Sequence, residues 1–523
     1  MLILTAILIL FVLPLLILSL NRLHPRPGYQ WLLALGGALA AWVLVLFSRL
    51  QLPRIIPLIE WKPETLFSTS PALLLDEYSW PYAVAVVTIP VAIFLTNIAR
   101  GREIKPGAWA ASLAMAGSGL LAVLAANPLT LLLAWAIIDL AETVTLLRQV
   151  TGSDQREQVV MATSVRVAGM LMLLVAMTKA QILGMTLTFS DIPPEVSGYL
   201  LLAAGLRLGV LPPHKPFLEE QPLRRGLGTM ARLMPAAATL VLLTRVATVG
   251  APQNWEPYLL AGAALAALYS SMAWVIAKDE LDGRPFWILG VAALSFAAAV
   301  RVQPAASTAW GLSLLFSGSL LFLFSTRNRP LLALPILGLL GFLALPFSPT
   351  WSGLVLHSGL GVFFRLIFIL AHALLILGYI RHAIQVDSDQ DAVERWVWVI
   401  YPVGLAILPL THFGVVWLSG GMTRPEAAIT SIAWWGGAVT LGLAAALMAL
   451  FRRNLVPSDR VASVLRDVFS LTWFYRSFWW LYRSLSTVIA NIALILEGEG
   501  GILWAVLILS LLVTLIIQQG GGG

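Results

Sequence analysis

Residues 201–216 read Leu-Leu-Ala-Ala-Gly-Leu-Arg-Leu-Gly-Val-Leu-Pro-Pro-His-Lys-Pro, and they hold the feature that decides the fold. An apolar run carries one charge, Arg207, and is then broken by prolines beside His214. A second break, Leu345-Pro346-Phe347-Ser348-Pro349, interrupts another apolar segment. Broken helices persist in lipid where protein or a water-filled cavity satisfies their free backbone groups, and in transporters they often lie at binding sites within repeated halves. Either break alone is compatible with a simple kink, but two favour a repeated membrane unit.

Composition sets the class of protein. Hydrophobic residues make up 59% of the chain and charged residues 11%, against roughly 45–50% and about 25% in a soluble domain. The apolar segments predict an all-α integral membrane protein with about sixteen spans, each of about 20 residues. The chain has no cysteine, which excludes thiolate-ligated clusters and disulfides.

The charges outside the spans predict the orientation. Lys and Arg are about three times as frequent in alternate loops, and such loops favour the cytoplasm. Both termini are therefore predicted outside the cell's inner (cytoplasmic) membrane. The first segment, residues 1–20, lacks a basic start and is read as a retained span. The net charge of +7 is explained by cytoplasmic loops, so no nucleic-acid partner is expected.

Past the fifteenth span, residues 452–499 interleave arginines with Trp and Tyr, for example Arg476 and Arg483 with Trp479 and Trp480. This pattern is typical of an amphipathic helix in the membrane interface. Two interpretations stay open, a lipid-surface anchor and a lateral helix that braces neighbouring subunits. A final span is predicted at residues 500–517.

Five short motifs occur in order between roughly residues 70 and 385. They are Leu75-Asp76-Glu77-Tyr78-Ser79, Asn127-Pro128-Leu129 through Trp135, Arg207 through His214 to Leu218, Asp282-Gly283-Arg284, and Gly378-Tyr379-Ile380-Arg381. In these motifs the sequence resembles the antiporter-like membrane subunits of respiratory complex I, group 4 hydrogenases and multisubunit sodium/proton antiporters.

The resemblance implies a core of fourteen helices with two inverted five-helix repeats, in which helices 7 and 12 are broken. The implied divisions are 1–106 for the first three spans, 107–250 and 251–385 for the two repeats, 386–451 for spans 14 and 15, 452–499 for the amphipathic lateral segment, and 500–523 for the last span and tail.

The resemblance also implies a mid-membrane row of ionisable side chains that begins with a Glu on the fifth helix paired to a Lys on the seventh. The Glu position falls at Ala136, and the nearest acids, Asp139 and Glu142, follow on roughly the same helical face. The Lys position falls at Arg207, whose guanidinium keeps its charge and does not release a proton. We therefore expect Arg207 to steer Asp139 electrostatically.

Further candidates lie nearby. Arg232 falls near a position where the family has His or Lys, and Arg166 is placed to pair with Asp139 or Glu142. The alternative is that both arginines extend to the cytoplasmic interface. His214, beside the first break, is a titratable candidate.

The second repeat departs from the family pattern, because its two lysine positions fall at Gly318 and Leu354. The titratable candidates in that half are His357, His372 and His412, with Arg365 as a charge. We single out His357 for ion translocation and Arg365 for charge pairing, although a lone histidine in a span is more often a packed residue.

The function implied by the resemblance is that of a membrane-arm subunit of an oligomeric complex, coupling H⁺ or Na⁺ translocation to a partner's redox reaction. Two alternatives stay open, a scaffold that no longer pumps and a membrane partner of a soluble enzyme in inorganic-carbon uptake. The expected partners are other membrane subunits and the lipid bilayer. The chain carries no phosphate loop and no nucleophile–base signature, so no catalytic centre, metal or cofactor of its own is expected.

Overall fold

The computed structural model describes residues 1–23, 27–60, 69–97, 99, 106–148, 150, 152–215, 225–325, 329–385, 396–419, 430–452, 472–497 and 505–510. The chain divides into two compact units, Met1–Pro457 and Ser458–Gly523.

Helices build the first unit. They are α1 (Leu2–Leu23), α2 (Pro27–Phe47), α3 (Ser79–Asn97), α4 (Pro106–Val123), α5 (Pro128–Leu147), α6 (Ser153–Ile182), α7 (Pro194–Leu208), α8 (Gly226–Val246), α9 (Glu256–Ile276), α10 (Arg284–Val300), α11 (Pro304–Leu323), α12 (Ala333–Leu340), α13 (Val362–Gln385), α14 (Val397–Leu418) and α15 (Ser431–Arg452). Each predicted span before the lateral segment contains one of them. In the described part of the chain, twelve helices are long and apolar enough to cross a membrane. The predicted class, a multi-pass helical membrane protein, is confirmed.

Both predicted breaks are present. Helix α7 ends at Leu208, because Gly209 takes a left-handed conformation (φ +79°) that a residue with a side chain rarely adopts. Helix α12 ends at Leu340. The second half of the same predicted span is a 3₁₀ helix, Trp351–His357. Between these halves the Thr350 hydroxyl donates to the carbonyl of Gly341 over 3.0 Å, so a side chain satisfies one of the freed backbone groups.

Helix packing follows the same order in the two predicted repeats. The first helix of each packs on the fifth, α4 on α8 and α9 on α13. The broken helix stands fourth in each, as α7 and α12. The residue boundaries of the repeats stay a prediction.

A small hairpin between α2 and α3 was not predicted. Strand β1 (Arg54–Pro57) pairs antiparallel with β2 (Ala72–Leu75). Leu74 donates its N–H to the carbonyl of Leu124 at the end of α4, which ties the hairpin to the bundle.

The second unit contains α16 (Thr472–Glu497). The Arg483 guanidinium lies 5.6 Å from the ring centroid of Trp479, which joins the basic and aromatic residues that predicted an interfacial helix. Residues 505–510 of the predicted last span are helical. The rest of that span and residues 453–471 lie outside the described residues.

Candidate functional site

One face of α5 carries the acids. Asn127 caps the helix by accepting the N–H of Thr130 over 2.9 Å, and Pro128 occupies the first turn, a combination that favours a helix start here. From this start, Trp135, Asp139 and Glu142 share the buried face, since they are separated by one and two turns. Ala136, where the resemblance implies a glutamate, lies on the exposed face.

Asp139 and Arg207 form a two-pronged ion pair. The guanidinium of Arg207 donates Nη1 to Oδ2 over 2.7 Å and Nη2 to Oδ1 over 2.8 Å, the geometry that makes such pairs strong. The same guanidinium lies 4.1 Å from the ring centroid of Trp135. Gly169 of α6 makes room for the arginine, because a Cβ there would lie 2.6 Å from its Cγ. The predicted partner of Asp139 is therefore the one found.

Glu142 is held from two sides. Arg166 of α6 donates Nη2 to Oε1 over 3.0 Å and Nη1 to Oε2, and Arg232 of α8 donates Nη1 to Oε1. Arg166 also lies 3.7 Å from Asp139, so the two ion pairs join. Both arginines are paired here, which excludes the alternative in which they extend to the interface.

We call Asp139, Glu142, Arg166, Arg207 and Arg232 the charge cluster. All five are buried, and three guanidinium groups face two carboxylates. The cluster lies between α5, α6, α7 and α8, directly before the break that ends α7. Removing charges from water costs several kcal/mol per ion. Burial of the charge cluster therefore carries a large desolvation penalty in the free energy of folding.

His214 lies in the break itself. It is buried, and its Nδ1 is 2.7 Å from the carbonyl oxygen of Pro212. His214 thus follows Arg207 of the charge cluster by seven residues.

Solved structures of known proteins are similar to this chain. No family model and no curated protein matches the sequence. Among solved structures, a chain of the Mrp complex from Dietzia sp. matches with a TM-score of 0.71 and 15% identity, over 99% of this chain and 63% of that chain. A chain of the membrane-bound sulfane sulfur reductase, an archaeal respiratory membrane complex, matches with a TM-score of 0.69 and 14% identity, over 97% of this chain and 99% of the other.

Respiratory complex I from Thermus thermophilus contains a third similar chain, with a TM-score of 0.57, 14% identity and coverage of 81% of this chain and 99% of that one. This chain has the antiporter-like membrane-subunit fold. The chain spans under two thirds of the Mrp chain, and the low identities establish the fold alone.

In the second half of the chain, buried neutral residues occupy the two positions at which the resemblance implies lysines. Gly318 of α11 packs against Trp287, and a Cβ would lie 2.5 Å from its indole nitrogen. Leu354 is buried against Gly437. Neighbouring side chains therefore leave no space for a lysine at position 318, and at position 354 a leucine packs against α15.

Three of the buried histidines, His357, His372 and His412, lie around the α12 break. The Nε2 atom of His372 is 3.1 Å from the carbonyl oxygen of Phe342, and His412 stacks on Phe316. His357 is buried against Gly436 of α15.

Arg365 donates to the carbonyl oxygens of His357 (3.1 Å) and Leu360 (2.6 Å). In the described part of the chain its contacts are therefore carbonyl oxygens near the end of the 3₁₀ helix, not the acid that a pairing role suggested. Neither His357 nor Arg365 joins the charge cluster.

In the described part of the chain, two further ion pairs, each with one buried partner, were not predicted. Arg245 at the end of α8 donates Nη1 and Nη2 to Asp76 over 2.8 and 3.1 Å, and Asp76 also accepts the N–H of Ser79 at the start of α3. Arg225 lies 2.5 Å from Glu280. Asp76 had been noticed only as part of a motif, and the partners of both pairs come from distant parts of the chain.

Proposed function

We propose that this chain is a cation-translocating membrane subunit of a multisubunit complex, and that the charge cluster is where it handles the cation. One observation carries the proposal: two carboxylates and three arginines are buried together beside the helix break of an antiporter-like fold. Ionisable side chains within spans are rare and generally mark ion pathways or relays.

Stability alone gives little reason to keep these charges. Replacing a buried ion pair by apolar residues of similar volume is often neutral or stabilising. A cluster in which α5, α6, α7 and α8 each place a charge against another helix is therefore better explained by a use of those charges. Transport through α5–α8 is such a use.

The chemistry follows from the pairing. Both oxygens of Asp139 accept hydrogen bonds from the Arg207 guanidinium, whose positive charge faces the carboxylate. If the guanidinium withdraws, the carboxylate loses the charge that stabilises it and binds a proton more readily. The return of Arg207 expels that proton. Arginine thus acts as a moving counter-charge, and Asp139, Glu142 and His214 are the groups that take up and release the cation.

The partner reaction is proposed to be redox, in a complex of the inner (cytoplasmic) membrane with both termini of this chain outside. The similar chains support the redox part of this proposal, because two of the complexes to which they belong are described as respiratory. A scaffold that no longer pumps is the second candidate, favoured by the tight packing of Gly318 and Leu354.

The test is cation flux through the complex, purified by a tag on this chain and reconstituted into liposomes under an imposed membrane potential. Asp139→Asn together with Glu142→Gln should abolish the share of flux that this chain carries while assembly is retained. The matched control is Glu256→Gln, which alters a half-exposed ion pair with Arg301 away from the cluster. Unchanged flux in the double variant, with the complex intact, would support the scaffold.

A further inference from the structure

Three hydroxyl groups from three helices meet at the end of α8 remote from the charge cluster. The Tyr82 hydroxyl of α3 is 3.0 Å from Oγ1 of Thr244 on α8. The Thr308 hydroxyl of α11 donates to the same Thr244 oxygen over 3.3 Å and to the carbonyl oxygen of Pro304 over 2.8 Å. We call Tyr82, Thr244 and Thr308 the hydroxyl chain. Thr244 follows Arg232 by twelve positions on α8, which corresponds to about 18 Å along a helix.

Thr244 is bonded differently from several other threonines of the spans. Thr88, Thr96 and Thr239 each donate to the carbonyl oxygen four residues earlier in their own helix, which is how a hydroxyl is usually accommodated inside an apolar helix. Thr244 instead bonds to side chains of two other helices. The Thr244 hydroxyl can therefore exchange a proton with the hydroxyl groups of Tyr82 and Thr308.

The surroundings lead from the interior toward the surface. Tyr82 and Thr244 are fully buried, whereas Thr308, near the start of α11, is partly exposed. Gly311 lies against the Tyr82 hydroxyl, and a Cβ at that position would collide with it. The close approach of α11 to α3 thus depends on a glycine and leaves space for the hydroxyl.

We propose that the hydroxyl chain is the end of a proton path on the side of the membrane opposite the charge cluster, an inference that rests on the proposed function. Each oxygen accepts a proton from one neighbour while its own proton passes to the next. Thr308 is the donor to Thr244, so one proton enters at Thr308 and one leaves at Tyr82, with no hydroxyl consumed. Rotation of the O–H bonds restores the starting arrangement.

This geometry suits a proton better than a metal cation. Hydroxyls are both donors and acceptors, so a proton can be handed on without moving an oxygen. A sodium ion would need several oxygens around it in a space where Tyr82 and Thr244 are already packed against protein. The hydroxyl chain therefore also assigns H⁺ as the cation at this end.

The test uses the intact complex in liposomes with an internal pH-sensitive dye. The flux lost in Glu142→Gln measures the share carried by this chain. Thr244→Val keeps the shape and removes the hydroxyl, and it should lower that share by about tenfold or more, within what a positioned proton carrier contributes. Thr244→Ser should retain the flux. Thr239→Val is the matched control on α8, because its hydroxyl bonds only within its own helix.

Tyr82→Phe tests the same chain independently if Thr244→Val assembles poorly. Loss of flux in Tyr82→Phe and Thr244→Val, with flux kept in Thr244→Ser and Thr239→Val, supports the path. Flux lost in Glu142→Gln but kept in Tyr82→Phe and Thr244→Val overturns the path and leaves the proposed function standing. Equal loss in Thr239→Val assigns the effect to packing and also overturns it. No loss in Glu142→Gln removes the proposed function itself.

Discussion

Single residues decide how the charges are held. Arg207 occupies a position where the resemblance implies a lysine, and its planar fork engages both oxygens of Asp139 while its face covers Trp135. A lysine offers a point charge and cannot reproduce both contacts. The arginine therefore locks the carboxylate more firmly, and its movement becomes the step that frees Asp139.

Gly169→Ala tests that movement. The added methyl group would lie 2.6 Å from Cγ of Arg207, so the guanidinium must shift away from Asp139. A displacement of about 1 Å can lower the rate of a positioned reaction by roughly a hundredfold, and we expect flux to fall by at least tenfold on that basis. Gly414→Ala, where a Cβ meets nothing within 4 Å, should leave flux unchanged. Equal flux in both variants would show that Arg207 tolerates displacement.

Asp76→Asn tests the ion pair between α3 and α8. Asparagine keeps the capping oxygen for Ser79 but leaves the buried Arg245 without its counter-charge. Breaking a buried pair costs about 3–5 kcal/mol, and we expect the lower end because Asp76 is partly exposed. The melting temperature in detergent, followed by tryptophan fluorescence, should fall and be partly restored by adding Arg245→Leu. A fall that is larger in the double variant would contradict this account.

At the scale of elements, the second repeat shows how packing replaces charge. Trp287 fills the space beside Gly318, so a lysine there meets the indole and not a cavity. A charged side chain at mid-membrane costs at least about 2.5–3.5 kcal/mol without hydration. Reintroducing the charge alone therefore cannot restore a lysine relay.

Gly318→Lys is accordingly expected to lower the yield of folded protein without raising flux. Gly318→Ala, which adds only a methyl group at the same place, is the matched variant and should show a milder loss. The measurements are monodispersity after extraction and flux in liposomes. A gain of flux in Gly318→Lys would mean that the second repeat still holds a hydrated path for a charge.

The elements themselves were largely predictable from sequence. Apolar segments bounded by charges and prolines predicted α1–α15 and both breaks. A span in lipid must hydrogen-bond its own backbone groups, and an α-helix does this within a single segment. Helical spacing placed Asp139 and Glu142 on one face, and Arg207 and Arg166 were named as their candidate partners. The pairing of Arg232 with Glu142 was not predicted. The pairs of Asp76 with Arg245 and of Arg225 with Glu280 were missed because each joins positions far apart in sequence. Tyr82 and Thr244 carry no signal that separates them from ordinary polar residues in spans.

At the scale of the whole molecule, the chain divides at residue 457, close to where the amphipathic segment was predicted to begin. The first unit contains the helices that carry the charge cluster and the hydroxyl chain. The second unit contributes α16, for which the proposed role is to brace neighbouring subunits. Flux and assembly are thus assigned to different parts of the chain.

Deletion of residues 458–517 separates these roles. The truncated chain should still fold, judged by a monodisperse peak and a cooperative thermal transition, but should no longer copurify with its partner subunits. Deletion of only residues 518–523 is the control and should keep the partners, identified by mass spectrometry. Copurification of an undiminished set of partners with the truncated chain would show that α16 does not brace the complex.

The central claim, that buried carboxylates of the charge cluster take up and release a proton, is tested most directly by infrared difference spectroscopy of the energised complex in membranes. The account predicts that a protonated-carboxyl C=O band appears when a membrane potential is imposed and is lost in Asp139→Asn or Glu142→Gln, but persists in Glu256→Gln. Full proton flux with no carboxyl band in the wild type, or with the same band in all three variants, would contradict it.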